Sequence, residues 1–325
     1  MSASLDPILA AGAVPTVYGG GPLSRGLATA LPMIGPGVRA VSLHASVPAS
    51  GTFTPGTLYA DSTLPAASAV LRAARPGAEL WVGVGVDAIA RRVRSGAWTR
   101  QQGVSTFVGL ARGAAEQGAK IVVWDGEPQY KFSDAATRDL LTGLVTESLA
   151  AVAQSVPGIV QGHTSYGNVV PVRLANGQSW GGHGDYVWPA WVGPSSPVAI
   201  TFPQVYPSIS NPVGPGVVQE WMRRTGISYG AAVERGMVGR QVAIRPYLLL
   251  HGAPAVDTVA VANQAGTSML WALPGTVDAD GREALVQLTG GDPPGADWGI
   301  REALAFGGLG ALVAAGVRWW RSQRL

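Results

Sequence analysis

Two acidic residues follow an apolar run in the stretch IVVWDGEPQYK, residues 121–131. If the run is a buried β-strand, Asp125 and Glu127 lie on the same side of it, because side chains two positions apart face the same way. Two carboxyl groups held close together in a partly dry site repel each other, which raises the proton affinity of one of them. A carboxyl group that keeps its proton near neutral pH is what protonation of a glycosidic oxygen requires.

A structural role for the two acids is the alternative. Asp125 would then cap the next helix or pair with an arginine, and Glu127 would lie in solvent on the following loop. Trp124 before the pair and Pro128 after it make the segment stiff and aromatic, as sugar-binding sites often are. These neighbours favour the chemical role.

Alternating strand and helix patterns predict the fold that positions these acids. The predicted strands are 14–18, 38–45, 79–86, 119–124, 158–163, 198–205, 241–250 and 268–273. Helices are predicted near 22–31, 63–75, 100–117, 134–155, 215–235, 255–265 and 280–289, and a loop remains the alternative for the first because 19–36 is rich in glycine and proline. Eight units with near-continuous apolar strands predict an α/β fold, a (β/α)8 TIM-like barrel of parallel strands.

The predicted barrel has one long insertion and a tail. Residues 167–197 follow the fifth strand and should hang over the barrel mouth, where Trp180, Trp188 and Trp191 are expected to stack on sugar rings. The stretch GGDPPGAD, residues 290–297, is the clearest boundary in the chain. The prediction is therefore a barrel domain over 1–290, followed by a linker and an apolar C-terminal helix over 291–325.

Further residues are expected at the carboxyl ends of the strands, where barrel active sites lie. Those predicted to bind substrate are Trp124, Trp271, His163, Tyr166, Gln204 and Asp87. His44, His163 and His251 end strands two, five and seven, and their convergence on a zinc ion is the alternative. Because the first strand carries no His-x-His pair, the histidines are interpreted as polar residues for substrate hydroxyls, and neither a metal nor another cofactor is predicted.

The D-x-E of Asp125 and Glu127, with Tyr206 in FPQVYP and Trp271 in SMLWALPG, resembles the layout of family-18 chitinases and related N-acetylglucosaminidases. The resemblance implies that Glu127 is the general acid and that Asp125 orients the N-acetyl group of the substrate as an internal nucleophile. It further implies that the Tyr206 hydroxyl supports the intermediate and that Trp271 forms the floor of the sugar site. Glu127, Asp125 and Tyr206 are thus the predicted catalytic residues.

The chain departs from that family upstream of the acids. The family pattern D-x-x-D-x-D-x-E would place acids where this chain has Lys120 and Val123. The D-x-E also resembles that of family-25 lysozymes, which cut peptidoglycan; their strand-one aspartate is missing from VPTVYGG, and Asp87 could supply a third acid. Both resemblances imply a polysaccharide substrate, while the departures keep open a non-catalytic barrel that binds carbohydrate or has a structural role in a phage particle.

Composition and the two termini bear on partners and location. The net charge is +3 and the arginines are scattered, so no nucleic-acid partner is predicted, and zero cysteines exclude disulfides and thiol nucleophiles. The N-terminus shows no signal-peptide pattern. Residues 303–317 carry no polar side chain, which predicts either the last barrel helix or a membrane contact through 298–325. The cell envelope, the extracellular space or a phage particle is the expected location.

Overall fold

The computed structural model describes residues 4–18, 23–47, 63–173, 177, 179–207, 212–273 and 277–290. Its strands are β1 (Ala13–Tyr18), β2 (Ala40–Ser46), β3 (Glu79–Gly85), β4 (Ile121–Asp125), β5 (Val160–Tyr166), β6 (Val172–Arg173), β7 (Ser179–Trp180), β8 (Ile200–Val205), β9 (Ala243–Ile244), β10 (Tyr247–Leu249) and β11 (Ser268–Leu273). Its α-helices are α1 (Asp6–Leu9), α2 (Leu23–Ala30), α3 (Thr63–Ala74), α4 (Asp87–Arg94), α5 (Arg100–Glu116), α6 (Ala135–Ser155), α7 (Trp188–Val192), α8 (Val217–Glu234), α9 (Ala255–Ala265) and α10 (Ala279–Thr289). Short 3-10 helices cover Leu31–Met33 and Pro128–Tyr130.

The main sheet closes into a barrel of parallel strands. The strands pair in the order β1, β2, β3, β4, β5, β8, β10 and β11, and β11 pairs again with β1. The seventh position is divided between β9 and β10, which flank Pro246. Proline has no N–H to donate to a neighbouring strand, so the predicted strand 241–250 forms two short pieces instead of one. The predicted (β/α)8 barrel is confirmed.

All the predicted helices are present, and the structure adds α1, α4 and α7. Helix α2 forms where a loop was the alternative, and Asp134 caps α6 by accepting a hydrogen bond from the Thr137 backbone N–H at 2.8 Å. Helix α4 was not predicted, because the third strand was extended to Val86. The strand ends at Gly85, and α4 begins at Asp87, with a single residue between them.

The interior of the barrel and its outer wall have separate apolar clusters. On β4, Ile121 and Val123 pack in the inner cluster, while Val122 and Trp124 pack in the larger cluster between strands and helices. The alternation of a β-strand therefore turns Asp125, the next residue, toward the barrel axis.

The insertion after β5 packs against the barrel through its aromatic residues. Trp188 and Trp191 are fully buried, and the Trp191 ring lies 5.1 Å from that of His163 and 5.0 Å from that of Tyr130. The prediction that Trp188 and Trp191 stack on sugars is therefore wrong, because both rings fill the outer wall. Trp180 packs edge-on against Trp221 of α8, with the ring centroids 5.7 Å apart.

The predicted linker and C-terminal helix, residues 291–325, lie outside the described residues, and the described chain ends at Gly290. Within the described ranges, each helix is too short or too polar to cross a membrane. The domain boundary near residue 290 and the apolar C-terminal helix remain predictions.

Candidate active site

Asp125 ends β4 on the inner face of the barrel, where a histidine from another strand contacts it. His44 Nε2, from β2, lies 3.4 Å from Asp125 Oδ2. The imidazole reaches over β3 at Gly83, the residue paired with both His44 and Val123. A Cβ atom on Gly83 would lie 2.4 Å from His44 Nδ1, so only glycine leaves room for the ring in this position. Within the described chain, the buried Asp125 Oδ1 has no hydrogen-bond partner.

Glu127 is held from two sides in the loop that follows β4. Its backbone N–H donates to Asp87 Oδ1 at 2.9 Å, and its carboxyl Oε1 accepts a hydrogen bond from the Gln204 side-chain amide. Asp87 comes from the first position of α4, and Gln204 comes from β8. Asp87, which follows β3, and Gln204, which lies on β8, thus hold the loop and its side chain.

Burial and mutual repulsion raise the pKa of both Glu127 and Asp87. The pKa of Glu127 is raised to about 8, chiefly by burial and next by the charges of Asp125 and Asp87, against a lowering by the Gln204 hydrogen bond. Burial raises the pKa of Asp87 to about 7, although the hydrogen bond from the Glu127 backbone opposes the shift. The Glu127 carboxyl group is therefore mostly protonated at neutral pH, although its side chain is only partly buried.

Aromatic rings form one wall beside the acids. Trp271, on β11, has its ring centroid 5.3 Å from that of Tyr18, 5.6 Å from that of Tyr247 and 6.3 Å from that of Tyr206. Burial raises the pKa of Tyr206 well above its usual value, and the nearby charges of Asp125 and Glu127 add to the shift. The buried Tyr206 hydroxyl has no hydrogen-bond partner among the described residues, and it keeps the proton that it can donate to a ligand.

Tyr166 and the insertion form the opposite side of the mouth. Tyr166 ends β5, and the His183 ring stacks on it with the centroids 3.8 Å apart and the planes at 24°. Lys131 Nζ lies 4.9 Å from the Tyr166 ring centroid and 3.6 Å from Asp185 Oδ2. Burial, followed by the Glu127 charge, raises the pKa of Tyr166 above its usual value, so the hydroxyl stays neutral.

The structure turns two predicted substrate-binding residues away from this site. Trp124 is fully buried against Phe107 of α5, and its indole N–H donates to Gln161 Oε1 at 3.2 Å. His163 is also buried, with Nδ1 3.2 Å from Thr201 Oγ1 and Nε2 3.0 Å from the Tyr186 hydroxyl. This placement corrects the prediction for both residues: each occupies an outward position on its strand, one residue before an inward one.

The three strand-end histidines do not converge on a shared point. His44 contacts Asp125 inside the barrel, His163 lies in the outer wall, and His251 Nδ1 lies 3.4 Å from Asp278 Oδ2 at the start of α10. In the part of the chain that the structure describes, no three His, Cys, Asp or Glu side chains are arranged to hold a metal ion.

The structure adds Tyr18, Lys131 and His183 to the predicted site, and it gives His44 a carboxylate neighbour. Of the predicted residues, it brings together Asp87, Asp125, Glu127, Tyr166, Gln204, Tyr206 and Trp271. The inward alternation of β1 was the signal that could have placed Tyr18 at the mouth. Lys131 and His183 lie in loops, where the sequence carries no such signal.

No protein-family model and no curated protein sequence matches this chain. Solved structures do share its fold. The endo-β-1,4-mannanase from Thermotoga petrophila superposes with a TM-score of 0.54 at 12% identity, over 86% of this chain and 77% of its own. A family GH18 chitinase from Cycas revoluta, in complex with allosamidin, gives 0.56 at 13% identity over 86% and 98%. The Bacillus cereus spore cortex-lytic enzyme SleL gives 0.50 at 9% identity over 88% and 76%.

These neighbours define the class to which the fold belongs. The chain has a (β/α)8 barrel, a fold that these three glycoside hydrolases share, and at these identities the likeness concerns the fold alone. An argument for the activity has to come from the site itself.

Proposed function

We propose that the protein is a glycoside hydrolase that cleaves an N-acetylated polysaccharide of the peptidoglycan or chitin type, with Glu127 as the general acid. The observation that carries the proposal is a Glu127 carboxyl group whose pKa is raised to about 8 next to Asp125, in a mouth lined by Trp271 and Tyr206. A general acid for glycosidic cleavage must hold its proton at working pH and must lie beside an acceptor for a sugar ring.

Gln204 supports this role by its contact with one oxygen of Glu127. The Gln204 amide N–H donates to Glu127 Oε1, so the carboxyl proton of Glu127 is held on Oε2. Proton transfer from Oε2 to the glycosidic oxygen breaks the bond between that oxygen and the anomeric carbon. The ionised Glu127 then takes a proton from the water that completes hydrolysis, which restores the acid.

Asp125 and Tyr206 are assigned to the N-acetyl group by the resemblance to family-18 chitinases. Asp125 Oδ1, which lacks a partner among the described residues, accepts the amide N–H of the substrate. The carbonyl oxygen of the same group then attacks the anomeric carbon as the leaving bond breaks. The Tyr206 hydroxyl donates to this group and so stabilises the intermediate.

Two structural neighbours support the substrate class more than the third does. A chitinase and a spore cortex-lytic enzyme share the barrel, and their names fit a polymer that contains N-acetylated sugars. The mannanase has the same fold. Because one scaffold serves several sugars, the substrate assignment depends on Asp125 and its neighbours.

The Glu127→Gln variant tests the assignment of the acid. Glutamine has the same shape and still accepts the hydrogen bond from Gln204, but it has no proton of comparable acidity to donate. We expect the release of reducing ends from chitin oligosaccharides or purified peptidoglycan to fall by about 10³-fold or more, with an unchanged circular dichroism spectrum.

The matched control is Glu147→Gln, which changes an exposed glutamate of α6 that pairs with Arg100 at 3.1 Å. This control should keep the wild-type rate. Equal turnover by wild type and Glu127→Gln would remove Glu127 from the chemistry.

A non-catalytic carbohydrate-binding or particle-structural barrel is the second candidate. The presence of Lys120 and Val123, where the family-18 pattern has acids, favours it. Saturable binding of the same oligosaccharides, with no reducing ends released under conditions in which a chitinase works, would select this candidate.

A further inference from the structure

The contact between His44 and Asp125 is not explained by packing alone. His44 is only 1% exposed, and burial of an imidazole costs free energy unless its polar atoms find partners. Its nitrogens have no hydrogen-bond partner in the described chain, and the nearest acidic group is Asp125 Oδ2, 3.4 Å from Nε2.

The surroundings of His44 direct its ring at Asp125. Tyr18 and Trp271 cover the ring, with centroids 5.3 Å and 5.8 Å away. Across β3, Gly83 leaves the space through which the ring reaches, since a Cβ there would lie 2.4 Å from Nδ1. Position 83 is therefore a glycine at a place where any side chain would block the contact between His44 and Asp125.

The separation of 3.4 Å is long for a hydrogen bond between a nitrogen and a carboxylate oxygen. In ligand-free enzymes such contacts are often long, and they shorten when substrate is bound. A donated Nε2–H would fix Oδ2 and therefore the plane of the carboxyl group. The second oxygen, Oδ1, is the buried one that lacks a partner.

We propose that His44 is a positioning residue for Asp125: its Nε2–H holds Oδ2 and leaves Oδ1 directed at the amide N–H of the substrate. The substrate part of this inference rests on the proposed function, whereas the histidine–carboxylate pair does not. His44 acts through Asp125 and does not touch the reacting atoms.

Kinetics of three variants on a chitin oligosaccharide test the positioning role. His44→Leu should lower kcat by about 10²-fold and change KM by less than about 3-fold, because a misplaced carboxyl group affects the transition state more than the ground state. His44→Gln carries an N–H near the position of Nε2 and should recover kcat to within about 10-fold of wild type. Gly83→Ala keeps the imidazole but displaces it, so its kcat should fall as in His44→Leu.

His251→Leu is the matched control, since His251 also lies 3.4 Å from a carboxylate but is half exposed and lies outside the site. Its kcat should equal that of wild type. If folded His44→Leu keeps kcat within about 3-fold of wild type, or if His44→Gln is no better than His44→Leu, the positioning role is refuted.

A spectroscopic measurement tests the pair without any substrate. The full chain has four histidines, so the imidazole N–H resonances of the ¹⁵N-labelled protein can be assigned by substitution. A hydrogen bond to a carboxylate moves the N–H proton downfield, and we expect Asp125→Asn to shift the His44 resonance upfield. If the His44 resonance is identical in wild type and in Asp125→Asn, the inference is overturned. This test still applies if the His44→Leu variant fails to fold.

The activity measurement and the spectroscopic measurement together distinguish a failure of this inference from a failure of the proposed function. If wild type cleaves no polymer but the His44 resonance moves in Asp125→Asn, the proposed function fails and the pair stands. If wild type cleaves the polymer and the resonance does not move, the pair fails and the proposed function stands.

Discussion

Similar side chains have different partners on the inner and outer faces of the barrel wall. His163, on the outer face of β5, is buried with both ring nitrogens next to hydroxyl groups, and burial lowers its pKa to about 3. His44, on the inner face of β2, is equally buried but faces the carboxyl group of Asp125. The adjacent residues Trp124 and Asp125 of β4 also lie on opposite faces: Trp124 packs in the outer cluster, and Asp125 faces His44 inside the barrel.

The contrast between these side chains concerns the partners of their polar atoms. On the outer face, polar atoms of His163 and Trp124 have partners within the protein, as buried polar groups generally do. On the inner face, Asp125 Oδ1 and the Tyr206 hydroxyl are buried without partners in the described chain. Such atoms cost free energy, and a ligand that supplies the missing partners recovers it.

The largest expected effects come from the adjacent residues of β4. Asp125→Asn should lower kcat by about 10³-fold and change the free energy of unfolding by less than about 1 kcal/mol, because it removes charge from the mouth without opening a cavity. Trp124→Ala should instead lower the free energy of unfolding by about 3–5 kcal/mol and leave kcat of the folded protein near wild type. Urea unfolding measures the free energy of unfolding of each variant, and initial rates divided by the concentration of folded protein measure its kcat. Loss of activity in folded Trp124→Ala would break the comparison.

The pH dependence of activity should report the acid on the inner face. In the proposed mechanism Glu127 acts in its protonated form, and its pKa is about 8, so kcat/KM should fall as the pH rises through about 8. The Asp125 charge helps to raise this pKa, so the alkaline limb of Asp125→Asn should move to lower pH. A pH series of initial rates measures the alkaline limb of wild type and that of Asp125→Asn. If the two limbs coincide, the carboxyl groups of Asp125 and Glu127 are not coupled.

Asp87→Asn should stabilise the protein at alkaline pH. The folded-state pKa of Asp87 is about 7 and its usual value is 3.8, so the folded state binds more protons between these values, and stability falls as the pH rises through that window. Asparagine removes this titration and still accepts the Glu127 N–H. We expect a gain on the order of 2 kcal/mol at pH 8, reduced for the partial exposure of Asp87, and no gain at pH 4. Denaturant melts at the two pH values test this sign.

The smallest expected effect lies on the outer face. The folded-state pKa of His163 is about 3, below the usual 6.5, so the unfolded state binds more protons between these values, and stability falls as the pH drops below 6.5. In His163→Gln, the loss of stability between pH 7.5 and pH 5.5 should be about 1 kcal/mol smaller than in wild type. The rate on oligosaccharides should be retained, and a reduced rate with intact fold would assign His163 to the site.

Much of the fold follows from local pattern in the sequence. The alternation of apolar strands and helices predicts the barrel, since parallel strands buried on both faces read as apolar runs. It also predicts that Asp125 and Glu127 follow the fourth strand. The pattern misses α4, because a short helix that begins one residue after a strand leaves no turn signal between them.

The candidate site is harder to predict, because position at a strand end is not enough. Tyr166 and Gln204 occupy inward positions and reach the site, whereas Trp124 and His163 end their predicted strands on outward positions. The predicted ends, at residues 124 and 163, are one and three residues short of the ends in the structure. A shift of one residue moves a side chain to the other face of a strand, so small errors of boundary become errors of function.

The sequence by itself determined the class of fold, the order of the strands along the chain, and the close placement of two acids two residues apart. These properties depend on periodicity and on neighbours in the chain. Only the tertiary structure decided which side chains from distant strands meet the acids: His44 across Gly83, Asp87 at the Glu127 backbone, and Gln204 at its carboxyl group. The closure of the barrel brings these strands together, and the proton on Glu127 depends on the burial and repulsion that this closure creates.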